Sequence, residues 1–327
     1  MVLIGVEMRF VRKATSVAVA LLVGASAVVS GSLPTQAGVG AATATRTAAG
    51  ARCSLSLATF GAEGLSLKNV SASVPVRVSA QPPVPMPAWT KQVVSVPELK
   101  LRAGAGTFHY HAGILLTGGR AATVDWWTEP PSDPYVKMTN RRVPAMRQLV
   151  ASTRREGPVA RNAPRDPARA SVTYSLESGG RLVRHTGEFT GRLGTAYAMR
   201  GFGDVKAMTL ISRSDRYDML LANLTDGRLI TIRVPAGTRP VPARTLVRRG
   251  GWKQFDRLVA GPCGARGTVV MGLDTKLRSA WLYDVGFAKG TATPIRKIGR
   301  VPGTWNGPQT TPVVTTAGIE AEVIRGG

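Results

Sequence analysis

The residues able to carry chemistry are few. Only three histidines occur, His109, His111 and His185. His109 and His111, in FHYHAG, are two apart, which on a strand puts both on one face, as some zinc and copper sites require. Spacing supplies no third ligand, so no metal site is expected. Asp125, Glu129 and Asp133, in VDWWTEPPSD, could supply the paired carboxylates of glycoside hydrolysis. Beside them Trp126 and Trp127 could form a platform on which a pyranose ring stacks; the alternative is that one Trp packs in the core and Pro130-Pro131 makes the bend. Trp281 and Tyr283 are also two apart and share a strand face, where they either meet a ligand or pack between sheets. No Gly-x-Ser-x-Gly elbow appears, and Cys53 and Cys263 are not spaced as a redox pair. The chain is therefore expected to have no catalytic residues and no cofactor. Its ligand-binding candidates are Trp126, Trp127, Trp281 and Tyr283.

These side chains need a frame of strands. The 327 residues are 43% hydrophobic but only 6% aromatic, with 37 Gly and 22 Pro. That balance favours many short strands joined by turns. No amphipathic helix of useful length follows the first segment. The opening residues read differently: Arg9, Arg12 and Lys13 precede ATSVAVALLVGASAVVSGS, and LPTQA offers a cleavage point after Ala37, with a second candidate after Ala27. This is the pattern of a secretory signal peptide over 1–37, with a membrane anchor as the alternative and Met1 or Met8 as the start. Residues 38–52 are a low-complexity leader and 321–327 a tail.

The formal net charge is +24; residues 1–37 carry a net +2 (Arg9, Arg12 and Lys13 against Glu7), which leaves +22 on the exported chain. Such a protein is drawn to anionic polymers in a salt-dependent way. Arginine richness also follows from a high-GC coding bias, so no specific nucleic-acid partner is expected. The densest basic stretch, Asn140 to Arg169, reads as a solvated loop between strand-rich parts, or as a binding site. Export would pair Cys53 with Cys263 as a disulfide closing a loop of about 210 residues; buried free thiols are the alternative.

Strand and turn units repeat. MLLANLTDGRLITIRVPAG, Met219 to Gly237, falls on Thr268 to Gly286 at an offset of 51 and on Thr173 to Gly187 at an offset of 47. GGWKQFDRLVAG, Gly250 to Gly261, has echoes in Gly194 to Gly203 and Arg300 to Gly307, and MRQLVAS, Met146 to Ser152, matches FDRLVAG in character. Four units lie between about 108 and 307, and the stretch from Cys53 to Arg102 could supply another. Such a period marks the blades of an all-β, propeller-like array of about four to six blades over 53–320. A β-sandwich followed by a smaller β-domain is the alternative. In this setting Asp226 is expected to form a turn ahead of Gly227.

The stretch Gly250 to Gly286 resembles the tachylectin-like and FG-GAP-like (VCBS-type) repeats of exported actinobacterial proteins. Trp252, Leu258-Val259, Val269 to Met271 and Trp281-Leu282-Tyr283 take the repeat positions. Where metal-binding members carry an acidic loop, this chain has PCGARGT, Pro262 to Thr268, so calcium is not expected. The resemblance implies a binding module for carbohydrate or an anionic cell-envelope polymer; the chain is further expected to be secreted, monomeric and non-catalytic, with no membrane span after signal cleavage. An exported glycan hydrolase and a structural protein-interaction module are the competing readings.

Overall fold

A computed structural model describes residues 53–61, 64–81, 83, 93–96, 99–103, 108–116, 120–128, 137–142, 146–152, 172–186, 196–264, 267–305 and 310–315. Residues 1–52 and 321–327 lie outside it, and with them the segments expected to be a signal peptide, leader and tail. The described chain is all strand: β1 (Ser54–Gly61), β2 (Gly64–Ser71), β3 (Arg77–Ala80), β4 (Val93–Ser95), β5 (Leu99–Ala103), β6 (Phe108–Leu116), β7 (Arg120–Thr128), β8 (Lys137–Arg142), β9 (Met146–Ser152), β10 (Val172–Glu177), β11 (Leu182–Thr186), β12 (Ala196–Met199), β13 (Val205–Arg213), β14 (Tyr217–Leu224), β15 (Leu229–Pro235), β16 (Ala243–Arg248), β17 (Arg257–Cys263), β18 (Gly267–Asp274), β19 (Ser279–Val285), β20 (Ile295–Val301) and β21 (Thr310–Thr315).

The strands form four sheets arranged as a four-bladed β-propeller. Three blades are antiparallel meanders, β9 to β12, β13 to β16 and β17 to β20. The fourth is composite: the leaf β3-β2-β1-β21 joins the leaf β5-β6-β7-β8 through the parallel β21–β5 pair, and β4 pairs with β6. The basic stretch from Asn140, read as a loop, in fact contains the end of β8 and all of β9. Gln148, Leu149 and Val150 alternate with nothing; they are buried together because an innermost strand has neighbours on both sides.

The innermost strands begin at one rim and end at the other. At the first rim Arg147 Nη2 donates to Val205 O (3.1 Å), Lys206 Nζ donates to Lys253 O (2.7 Å) and meets Asp256 Oδ1 (2.6 Å), and Arg257 Nε donates to Thr310 O (2.9 Å). At the second rim Ser152 Oγ donates to Asp218 Oδ1 (2.9 Å), and Cys53 is bonded to Cys263 across 210 residues with 5.0 Å between Cα atoms. β21 closes the ring late in the chain by pairing with β1, Thr59 opposite Thr310.

Apolar side chains fill the spaces between blades. One core joins β9–β12 to β13–β16 through Tyr174, Leu182, Met208, Leu220 and Ile232. A second joins β13–β16 to β17–β20 through Ile211, Leu221, Trp252, Phe255 and Val270. A third joins β17–β20 to β1 and β2 through Leu55, Leu57, Met271, Leu282 and Trp305.

A repeated key locks each of the three meander blades to the connection that follows it. The turn between a blade's second and third strands offers a carbonyl, and the amide of an aromatic residue after that blade's fourth strand donates to it. The pairs are Phe202 N to Gly180 O (3.0 Å), Trp252 N to Gly227 O (3.1 Å) and Trp305 N to Arg278 O (3.0 Å). All three aromatics are buried. Each follows a glycine in the left-handed region, Gly201, Gly251 or Gly303, at φ 89°, 90° and 93°. The structural match of Gly251 is thus Gly201, seven residues beyond the Gly194 that the sequence comparison set opposite Gly250.

Two consequences are measurable. Gly180 has φ 73°, and a Cβ there would lie 2.7 Å from the Gly203 backbone, so Gly180→Ala should destabilise by about 2 kcal/mol or more in urea unfolding. Gly201→Ala, strained but with open space around it, should cost less. Replacing both Cys53 and Cys263 by Ser removes a cross-link over 210 residues and should cost about 2 to 5 kcal/mol in the same assay.

Candidate functional site

The innermost strands carry polar side chains. Gln148, Thr209, Arg257, Thr310 and Thr311 are buried. Gln148 bridges to β13 with both ends of its amide, donating to Met208 O (2.6 Å) and accepting from Met208 N (3.0 Å). Arg257 also donates to Val96 O (3.1 Å), and burial lowers its pKa to about 10. Gln148, Arg257 and Thr311, which donates to Val96 O (2.9 Å), thus serve the protein's own backbone.

The seam between β13–β16 and β17–β20 is different, because its aromatic side chains grade from core to surface. Phe255 and Trp252 are buried; Tyr283 and Trp281 are only partly so. Trp252 and Tyr283 have ring centroids 4.6 Å apart, and Phe255 meets Trp252 at 5.5 Å and Tyr283 at 5.9 Å, both edge to face. Gly272 makes this possible, since a Cβ there would lie 2.7 Å from the Phe255 ring. Asn223 fixes the segment from below by donating to Trp252 O (3.0 Å) and Phe255 O (2.8 Å). Burial pushes the Tyr283 phenol above its usual range.

Toward solvent the seam becomes cationic. The Lys297 ammonium stands 3.6 Å from the Trp281 ring centroid, a cation–π contact. Arg300 is the partner of Trp281 in the β19–β20 register and is exposed. Asp284 is engaged by Arg296 at 3.3 Å. An aromatic ring with fixed positive charge over one face can hold a sugar ring or an anionic group.

Trp281 and Tyr283 are thus brought together on one seam. Trp126 and Trp127 occupy β7, opposite Tyr110 and His109, and their side chains lie outside the described residues. So do those of His109, His111 and Asp125, as well as Glu129 and Asp133. Sequence reasoning missed Lys297 and Arg300, whose roles depend on the β19–β20 register; two basic residues in a generally basic strand gave no local signal. Asp226 does form a turn: Oδ1 accepts from Arg228 N (3.0 Å), and this bond holds the carboxyl below its usual range. Among the described residues no group of three or more His, Cys, Asp or Glu could hold a metal.

A second polar cluster is sealed between β9–β12 and β13–β16. Asp218, 2% exposed, accepts from Ser152 and from Tyr174 (2.7 Å), and burial together with Asp218 drives the Tyr174 phenol well upward. On the other face of β10, Ser175 Oγ and His185 Nε2 are 2.9 Å apart. Both are buried, Ser175 completely, so no substrate reaches this pair.

No family model matches the chain, and no curated protein matches it. Among solved structures it is similar to the α-L-arabinofuranosidase of Podospora anserina in complex with cellotriose: 10% identity, TM-score 0.42, 71% of this chain and 75% of that one. It is similar to the SapL1 lectin in complex with α-methyl fucoside at 10% identity and TM-score 0.38, over 80% and 84%. A Trypanosoma rangeli sialidase matches at 10% identity and TM-score 0.36, over 79% of this chain and 46% of that one.

Burial lowers the His185 pKa to about 4, below the ordinary value near 6.5 that the unfolded chain keeps. As pH falls through 6.5 the unfolded chain therefore takes up the proton first. Stability should decline between about pH 6.5 and pH 4, by up to about 3 kcal/mol, and gain nothing above that window. Urea unfolding from pH 7.5 to 4.5 checks this: His185→Gln should flatten the decline.

Proposed function

We propose that this chain is an exported, non-catalytic binding module whose ligand is a polymer carrying both sugar and negative charge, such as an anionic cell-envelope polysaccharide. The observation that carries the reading is the seam, where half-buried Trp281 lies under the Lys297 ammonium with exposed Arg300 beside it. Stacking supplies an energy that salt barely screens, and the cations supply one that it does. The tachylectin-like resemblance runs through the same residues, Trp252 and Trp281 to Tyr283. Export is supported by the disulfide, which persists in oxidising compartments. No helix among the described residues is long and apolar enough to cross a membrane.

Binding of the chain from Gly38 to neutral and anionic glycans at low and high salt tests the reading. Wild type should prefer the anionic polymers and retain measurable affinity at high salt. Lys297→Gln with Arg300→Gln should weaken binding roughly tenfold at low salt and reduce the salt slope. Trp281→Ala should remove the salt-resistant part. Affinity that vanishes in salt and ignores Trp281→Ala would overturn the reading.

A further inference from the structure

The second rim carries a pattern that the seam does not use. Four large apolar side chains are exposed among the described residues: Val74 at 81%, Val241 at 79%, Leu277 at 74% and Phe287 at 40%. Three of the four lie in one kind of place. Val74 is in the β2–β3 connection, Val241 in the β15–β16 connection and Phe287 in the β19–β20 connection. Each of these joins the third strand of a leaf to its outermost strand. In β13–β16 the second strand starts at Tyr217, where Asp218 meets the end of β9, and the third strand returns to the same level, Tyr217 opposite Pro235. The same return brings Val285 back to Thr268 and Ser71 back to Ser54, next to the Cys53–Cys263 bond. All three connections therefore open on the second rim, and they belong to consecutive leaves, since β17 follows β13 and packs on β1 and β21.

Charge repeats with the apolar tips. Arg77 follows Val74 by three residues, Arg239 precedes Val241 by two, and Lys289 follows Phe287 by two; all three are exposed. The three connections, residues 72–76, 236–242 and 286–294, contain no Asp or Glu. The turns at the first rim combine an acid with a base: Glu177 accepts from Arg181 (2.7 Å), Asp226 accepts from Arg228 (2.6 Å), and Asp274 accepts from Lys276 N (3.0 Å); at the second rim the β13–β14 turn carries exposed Asp215 beside Arg216. A single exposed apolar residue is ordinary. An apolar tip with a cation beside it, placed on three consecutive leaves at one rim, is a composite surface with a direction.

We propose that the second rim docks on the surface of an anionic lipid bilayer. Val74, Val241 and Phe287 enter the headgroup boundary, while Arg77, Arg239 and Lys289 sit among the lipid phosphates. A soluble polyanion would satisfy the cations but leave the apolar tips in water, whereas a bilayer interface rewards both. The tips share one rim on consecutive leaves, the arrangement a planar interface can engage at several points. This site is distinct from the seam and stands independently of the polymer-binding reading.

The test is cosedimentation of the chain from Gly38, which contains every described strand, with vesicles of phosphatidylcholine alone or mixed with phosphatidylglycerol. Wild type should bind the mixed vesicles and not the neutral ones. The exposed-site variant Val74→Ser/Val241→Ser/Phe287→Ser should keep the wild-type unfolding midpoint and lose about tenfold or more in partitioning. Arg77→Gln/Arg239→Gln/Lys289→Gln should lose about fivefold per cation removed. Leu277→Ser, at the opposite rim, should bind as wild type. The proposal is overturned if wild type ignores anionic vesicles. It is also overturned if the apolar triple variant binds them unchanged while dextran sulfate displaces both proteins, which would make the rim a reader of soluble polyanions.

Discussion

A four-stranded sheet with two apolar faces cannot cover either of them, and closure of the ring answers that constraint for every blade at once. β13–β16 shows the problem plainly: Leu220 and Ile232 face one neighbour while Leu221 and Leu229 face the other. Burial of that many aliphatic side chains supplies the main favourable term, at about 25 cal/mol per Å² of apolar surface. It is collected only when both neighbours are present. The last blade then needs the first, and β21 on β1, Arg257 on Thr310 and the Cys53–Cys263 bond make that junction. Arg257 is the costly member, a buried guanidinium, and its hydrogen bonds to the backbone carbonyls of Thr310 and Val96 are what a charge at that place needs.

Closure also decides where function can sit. On the innermost strands Gln148, Thr209 and Thr311 are buried. What remains are the outer seams, the outermost strands and the two rims. Outermost strands β16 and β20 carry Arg244, Arg248, Arg296, Lys297 and Arg300, and such basic edges also oppose pairing with another sheet edge. Some of these cations are committed internally: Arg244 bonds Asp204 Oδ2 (2.6 Å) and Gly201 O (2.7 Å), and Arg248 bonds Thr293 O (2.7 Å). Lys297 and Arg300 point their charge instead toward Trp281 and solvent, which separates the seam from the edges around it.

Much of the fold could be read from the chain because the repeated key is local. Gly-Phe, Gly-Trp and Gly-Thr-Trp after the fourth strands of the three meander blades, with Asp226-Gly227 or its equivalents in the turn, are short patterns set by backbone conformation. Leu229, Ala280 and Leu182 do stand at or beside the starts of equivalent third strands, β15, β19 and β11. The pairing of Cys53 with Cys263 was readable from there being two cysteines and an expectation of export. The basic stretch misled because net charge was taken as exposure: Gln148, Leu149 and Val150 are buried within it as an innermost strand. The candidate site was half legible. Two-residue spacing placed Trp281 and Tyr283 on one face, but Lys297 over Trp281, Gly272 under Phe255 and Asn223 beneath Trp252 depend on register between strands and contact between blades. No local pattern encodes those.

The account rests on the ring behaving as one cooperative body, and native-state hydrogen exchange of the chain from Gly38 tests that most directly. Amides of β10, β14, β18 and β1 should share a single opening free energy, and reduction of the Cys53–Cys263 bond should lower all of them together. If β17–β20 or β9–β12 opened at its own free energy and the others did not respond to reduction, the blades would be independently stable. Closure would then not be the interaction on which the structure depends.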